Sequence, residues 1–116
     1  MSATTHPQPT GTSSRAGSDP EARTRRVEEA AFRIRRNALT MGEVQGQGYI
    51  GQALGVADVL AAFYADRLTL RADEPEWDGR DRFLLSIGHY AIALYAALVE
   101  AGTIPPEEMD GYGSDD

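Results

Sequence analysis

Residues Asp81 to His89 read Asp-Arg-Phe-Leu-Leu-Ser-Ile-Gly-His, and no other run constrains the fold as tightly. Phe83, Leu84 and Leu85 are consecutive apolar residues, and Ile87 follows Ser86. A stretch that is apolar on both faces suits a strand covered on both sides, as in a parallel sheet. Gly88 permits a tight turn or a close approach of backbone to a ligand. His89 then leads into a helical pattern, Ala91 to Leu98. The first N–H groups of a helix have no partner inside it, so that end attracts anions, phosphate among them. Strand end, glycine, histidine and helix start together predict a phosphate-binding corner. The competing reading is a histidine with a structural role only.

A lone strand of this kind is incomplete. Its N–H and C=O groups need a ladder, and leaving them buried and unpaired is expensive. Parallel neighbours are reached through crossovers, yet the remaining sequence offers no second convincing strand. The expected fold class is therefore α/β, with three helices around one parallel-type strand and the rest of the sheet missing. The neighbours then belong to another chain or to a larger domain of which these residues form the front. An all-helical reading of 83–88, giving a small helical bundle, is the alternative.

The helices are read from spacing and end signals. Residues 1–18 are Thr, Ser, Pro, Gln and Gly with few large apolar side chains, and predict a disordered tail in which His6 is inert. The ordered segment is expected to be 19–116. Asp19-Pro20 reads as an N-cap and first helical position. Val27, Ala30, Ala31, Ile34, Ala38 and Met41 then repeat at three and four residues, one apolar stripe. Arg23, Arg25, Arg26, Arg33, Arg35 and Arg36 share the rest of this helix. They are expected to form a solvated face partly paired with Glu21, Glu28 and Glu29, with a phosphate-facing role as the alternative. The helix should fail between Gly42 and Gly46. Ala53 to Leu68 is apolar nearly all round, which predicts a buried helix, with Asp58 satisfied by a nearby backbone group or arginine. Residues 69–80 read as a polar loop, with Trp77 anchoring it on the core. Gly102 is placed as a C-cap, and Pro105-Pro106-Glu107-Glu108 as the start of a short helical turn.

Composition excludes several classes of function. The chain has 116 residues, room for one domain at most. Its net charge of −7 argues against a general nucleic-acid binder. That charge is uneven: residues 1–42 hold seven Arg against four acids, and residues 43–116 hold four Arg against fourteen. With no Cys, disulfides, thiolate zinc sites and a cysteine nucleophile are ruled out. No apolar run approaches the roughly 18 residues of a membrane helix, and there is no signal-peptide h-region. A cytoplasmic protein is the expectation. Gly46-Gln47-Gly48-Tyr49-Ile50-Gly51 matches G-x-G-x-x-G, but the dinucleotide fingerprint must follow a strand, and here an amphipathic helix precedes it. Ser86 and His89 lack the G-x-S-x-G context of a hydrolase.

The residues resemble the N-terminal part of transketolase, a thiamine diphosphate-dependent enzyme. The resemblance runs from about Arg25 to Met109. Its strongest piece is Trp77 to His89, similar to the family run W-x-x-R-D-R-F-V-L-S-x-G-H. Ala91 to Leu98 resembles the following helix, Ala57 to Ala61 resembles A-D-I-L-A, and Gly46 to Gly55 aligns with the glycine-rich S-G-H-P-G turn. The resemblance implies that His89 reaches the cofactor diphosphate and the incoming sugar phosphate, with Gly88 letting the backbone close in. It implies that Gly48, Tyr49 and Gly51 line the substrate entrance. Tyr49 stands where the family has histidine, and Ile50 where it has proline. A phenol titrates near pH 10 and shuttles protons poorly at neutral pH.

The family motif G-D-G, which with a later Asn holds Mg²⁺ against the diphosphate, is absent from this sequence. The glutamate that activates the thiamine ring lies in a second domain. The resemblance thus implies an incomplete enzyme of pentose phosphate carbohydrate metabolism, transferring a two-carbon ketol unit between sugar phosphates. Thiamine diphosphate with Mg²⁺ would be its cofactor, with no metal ligand from these residues. Its partners would be the remaining diphosphate-binding segment and a pyrimidine-domain subunit, in an oligomer, with no nucleic acid and no membrane. The competing function is a non-catalytic remnant or partner-binding fragment.

Overall fold

Asp19 starts the first helix. In the computed structural model, which describes residues 19–46 and 49–112, its carboxylate accepts from the N–H groups of Glu21 at 3.3 Å and Ala22 at 3.0 Å. Pro20 takes the first helical position, where its missing N–H is no loss. Helix α1 (Pro20–Gln45) runs for 26 residues, through Gly42. Gly46 ends it at φ +78°, a left-handed conformation that suits glycine. The expected stripe is the buried one. Ala30, Ala31, Ile34, Ala38 and Met41 are at most 2% exposed, and Val27 packs half-buried beside them. The residues read as a disordered tail, 1–18, lie outside the described residues, as do Gly48 and 113–116.

Helix α2 (Ile50–Ala62) continues into a single π turn, Phe63–Arg67, whose ring closes where the N–H of Leu68 donates to the Phe63 carbonyl at 2.7 Å. Helix α3 (Ala91–Glu100) ends as the glycine at 102 predicts. Gly102 sits at φ +85°, its N–H donates to the Val99 carbonyl, and the N–H of Thr103 donates to that of Leu98. This is the paired-bond ending that a left-handed residue allows. A 3₁₀ stretch, Pro106–Gly111, follows the two prolines.

The three helices pack pairwise around Ile34, Met41, Leu60 and Ile92 and a set of alanines, Ala53, Ala57, Ala93, Ala96 and Ala97 among them. Small side chains let helix axes approach closely. Polar ties fix the same interfaces. The buried Asn37 amide donates to the Ala96 carbonyl at 3.2 Å. Arg33 Nε donates to Glu100 at 2.7 Å. Arg35 spans α1 to α2, with Nε donating to the Leu54 carbonyl at 3.2 Å and Nη2 to Asp58 at 2.9 Å. The hydrogen bond from Arg35 holds the Asp58 carboxyl below the usual carboxylate range. Asp58 thus finds the arginine expected for it. Arg23, Arg33 and Arg35, read as part of a solvated face, thus reach other elements, Arg23 by pairing with Asp66.

The α/β expectation is overturned. Among the described residues there is no strand, and the ordered structure is helical. Residues 81–87 belong to neither strand nor helix, so the helical reading of 83–87 fails too, although the helical bundle that went with it is what the described residues form. The physical reason is the one the lone strand raised: a strand exists through its ladder, and no neighbouring segment supplies one here. Cover is also one-sided. Phe83 and Leu85 are half-buried, Phe83 against Phe63 and Tyr64 at ring separations of 5.5 and 6.0 Å. Leu84 is 91% exposed and Ile87 47%. The same holds for α2. Its Ala53, Ala57, Leu60 and Ala61 are buried, but Val59 is 52% exposed. Uniform apolarity carries no record of how many sides are covered.

Candidate functional site

Gly42, near the end of α1, determines how α2 begins. A Cβ there would collide with the side chain of Ile50, so the glycine lets the first residue of α2 press against the α1 backbone. Tyr49, the residue before it, stands outside the helix at φ −91°, ψ 68°, with its ring 57% exposed. On the other side, the irregular segment ends at Ile87 and turns through a 3₁₀ stretch, Gly88–Tyr90, into α3. The N–H of Tyr90 donates to the Ile87 carbonyl at 3.0 Å.

These two helix starts meet. The rings of Tyr49 and His89 lie 5.3 Å apart at 60°, and those of His89 and Tyr90 lie 5.1 Å apart at 54°. Neither start is closed by a side-chain cap. Free N–H groups at the head of a helix present partial positive charge. The head of α2 and an exposed imidazole therefore converge on one corner, while at the head of α3 the N–H groups of Tyr90 and Ala91 already donate to the Ile87 and Gly88 carbonyls. Gly88 and Gly51 both have open space where a side chain would stand, and neither has a positive φ. Nothing in the described fold requires glycine at either place, so what their lack of a side chain leaves is access from outside. His89, Gly88 and Tyr49 are thus brought together. Gly51 is the second residue of α2, and Gly48 falls outside the described residues. Tyr90 was missed by sequence reasoning. Its only signal is adjacency to His89 at a helix start.

Trp77 anchors the 69–80 loop on itself more than on the core. The Arg71 guanidinium stacks 3.8 Å above its ring. Thr69 and Asp81 close the loop from both sides, with the Thr69 N–H donating to the Asp81 carboxylate and the Asp81 N–H to the Thr69 carbonyl, each at 2.8 Å.

Residues 27–110 match the family model described as transketolase, thiamine diphosphate binding domain. The chain belongs to this transketolase family. It is 72% identical over 88 residues to the transketolase family protein y4mO of Sinorhizobium fredii, covering 76% of this chain and 32% of that protein. It is 42% identical over 74 residues to the 6-deoxy-6-sulfo-D-fructose transketolase subunit SqwG of a Clostridium species, covering 62% and 27%. Against Transketolase 2 of Escherichia coli it is 37% identical over 78 residues, covering 65% and 12%. The chain therefore spans about a third or less of the length of these transketolase relatives.

A thiamine diphosphate cofactor is implied by the family, and its anionic end fits what the corner offers: free N–H groups, an imidazole, and glycines that leave room for approach. The metal does not find its ligands in the same place. Among the described residues no three His, Asp or Glu side chains are grouped to hold an ion. No helix among them is long and apolar enough to cross a membrane.

Proposed function

We propose that this chain supplies the diphosphate-gripping corner of a cytoplasmic transketolase-like enzyme, which transfers a two-carbon ketol unit from a ketose phosphate to an aldose phosphate. The observation that carries the reading is the meeting of two uncapped helix starts at His89, within a stretch that matches the thiamine diphosphate-binding family. Bound thiamine diphosphate would supply the carbanion chemistry, and the protein binding and orientation. His89 would donate from a ring nitrogen to a phosphate oxygen of the cofactor or substrate. The N–H groups in the first turn of α2 would add charge compensation that needs no reorganisation. Tyr49, with Gly48 and Gly51, would line the substrate side. Its hydroxyl donates a hydrogen bond there in place of the imidazole that the family carries. Magnesium ligands, the activating carboxylate and the rest of the fold would come from a further segment and a pyrimidine-domain subunit, in an oligomer.

A second reading, a partner-binding piece without catalysis, is favoured by one observation: Leu84, five residues ahead of His89 in the chain, stands 91% exposed. Mixing the chain with a subunit that supplies the remaining fold separates the two. Ketol transfer that appears only in the mixture, and is lost with His89→Ala while the assembly persists, supports the enzyme. Assembly without transfer supports the partner-binding piece. Wild-type turnover by His89→Ala refutes the role given to His89.

A further inference from the structure

We propose that Tyr49 and Tyr90 are positioning residues that clamp the His89 imidazole in one place and one plane. The inference rests on the diphosphate reading for its purpose, though not for its geometry. His89 is exposed, and its ring makes no hydrogen bond to any described residue. What holds it is aromatic contact from two directions, with Tyr49 at 5.3 Å and Tyr90 at 5.1 Å, both tilted. Tilted ring pairs at such separations are favourable beyond the area they bury. The two phenols come from different elements: Tyr90 shares the 3₁₀ turn with His89, whereas Tyr49 belongs to the head of α2. Turning the imidazole about its first side-chain torsion carries the ring away from these contacts, whereas a half-turn about the second exchanges its edges in the same plane. Both contacts are ring to ring, and neither is a hydrogen bond that occupies a ring nitrogen. An exposed histidine would otherwise lose its rotational freedom on binding an anion, and the clamp removes that loss beforehand. The Tyr90 hydroxyl plays no part in this, so phenylalanine should serve as well as tyrosine at that position.

The test uses the full chain and two readouts. Without ligand, nuclear Overhauser contacts from the Tyr49 and Tyr90 rings to the His89 imidazole protons are expected, with His89→Ala distinguishing them from His6. With inorganic pyrophosphate as probe, Tyr49→Leu or Tyr90→Leu should weaken binding about three- to tenfold, whereas Tyr90→Phe should keep it within about twofold of the wild type. Absence of the ring-to-ring contacts in the wild-type chain overturns the clamp, whatever the leucine variants do. So does wild-type pyrophosphate affinity in both leucine variants. Ring contacts present in a chain that fails to bind pyrophosphate support the clamp and sink the diphosphate reading instead.

Discussion

The guanidinium of Arg23 grips the carboxylate of Asp66 with both prongs, Nε donating to Oδ1 at 3.2 Å and Nη2 to Oδ2 at 2.8 Å. The pair joins the first turn of α1 to the π turn after α2, and Asp66 is only 7% exposed. The hydrogen bond to Asp66, then its charge, raises the Arg23 pKa above its ordinary value. A planar fork fits a carboxylate in a way a point charge does not. Arg23→Ala should lower the urea midpoint by withdrawing two donors from a buried carboxylate, and Arg23→Lys should recover only part of the loss. Equal midpoints for the lysine variant and the wild type would show that the fork geometry contributes nothing.

Ile34 is fully buried where α1 meets the other helices. Ile34→Ala should cost about 2–5 kcal/mol, the range for deleting a large aliphatic side chain from a packed interior. Chemical denaturation measures this directly. A loss well under 1 kcal/mol would mean that the alanine-rich helices collapse onto the gap.

A methyl group at position 79 would meet the Trp77 ring, with Cζ2 at 2.5 Å and Cε2 at 2.8 Å. Gly79→Ala should therefore push the indole off the Arg71 guanidinium. Trp77 is the only tryptophan, so its emission reports the event without ambiguity. A shift to longer wavelength is expected, with a stability loss of about 1–3 kcal/mol from overpacking. Unchanged emission would show that the loop backbone moves instead.

Tyr64 is 6% exposed, and burial raises its phenol pKa above the ordinary tyrosine value. The folded state therefore holds this proton more tightly than the unfolded chain. The stability involved is complete below about pH 10, the unfolded value, and is lost as pH rises through the interval up to the folded value. Tyr112 is shifted the same way, by burial and then by Tyr95. Thermal melts above pH 10 should show a fall that Tyr64→Phe reduces and that the double variant with Tyr112→Phe reduces further. A fall of the same size in all three chains would place its origin elsewhere.

Local signals in the sequence carried far. Asp19 and Pro20 mark the start of α1, its apolar stripe is the buried face, and Gly102 is the left-handed residue that ends α3. The placing of a histidine at a helix start, with a helix rather than a strand ahead of the glycine-rich turn, was equally legible. What failed was sidedness where apolarity is nearly uniform. Phe83 to Ile87 and the whole of α2 are apolar on all sides, and such runs look the same whether two layers cover them or one. Long-range pairing was also invisible. The partners of Arg23, Arg33 and Arg35 are Asp66, Glu100 and Asp58, each set by the crossing of elements rather than by spacing along one helix. Tyr90 escaped notice for a related reason: only the return of Tyr49 to His89 in space makes three adjacent rings out of two neighbours and a distant residue.

The π turn at Phe63–Arg67 also sets where this chain tolerates changes in length. It carries one residue more per hydrogen-bonded ring than an α-helix does, and a helix advances about 100° per residue. Deleting one residue there would return the segment to ordinary winding and swing the Asp66 carboxylate out of line with Arg23. A deletion among residues 72–79 would disturb the Arg71–Trp77 stack and the turns around it, but the ends of that loop, Thr69 and Asp81, are tied to each other. Two neighbouring stretches of this molecule thus differ in how far a change of length travels: in one each residue sets a rotational phase, and in the other the disturbance stays between the tied ends.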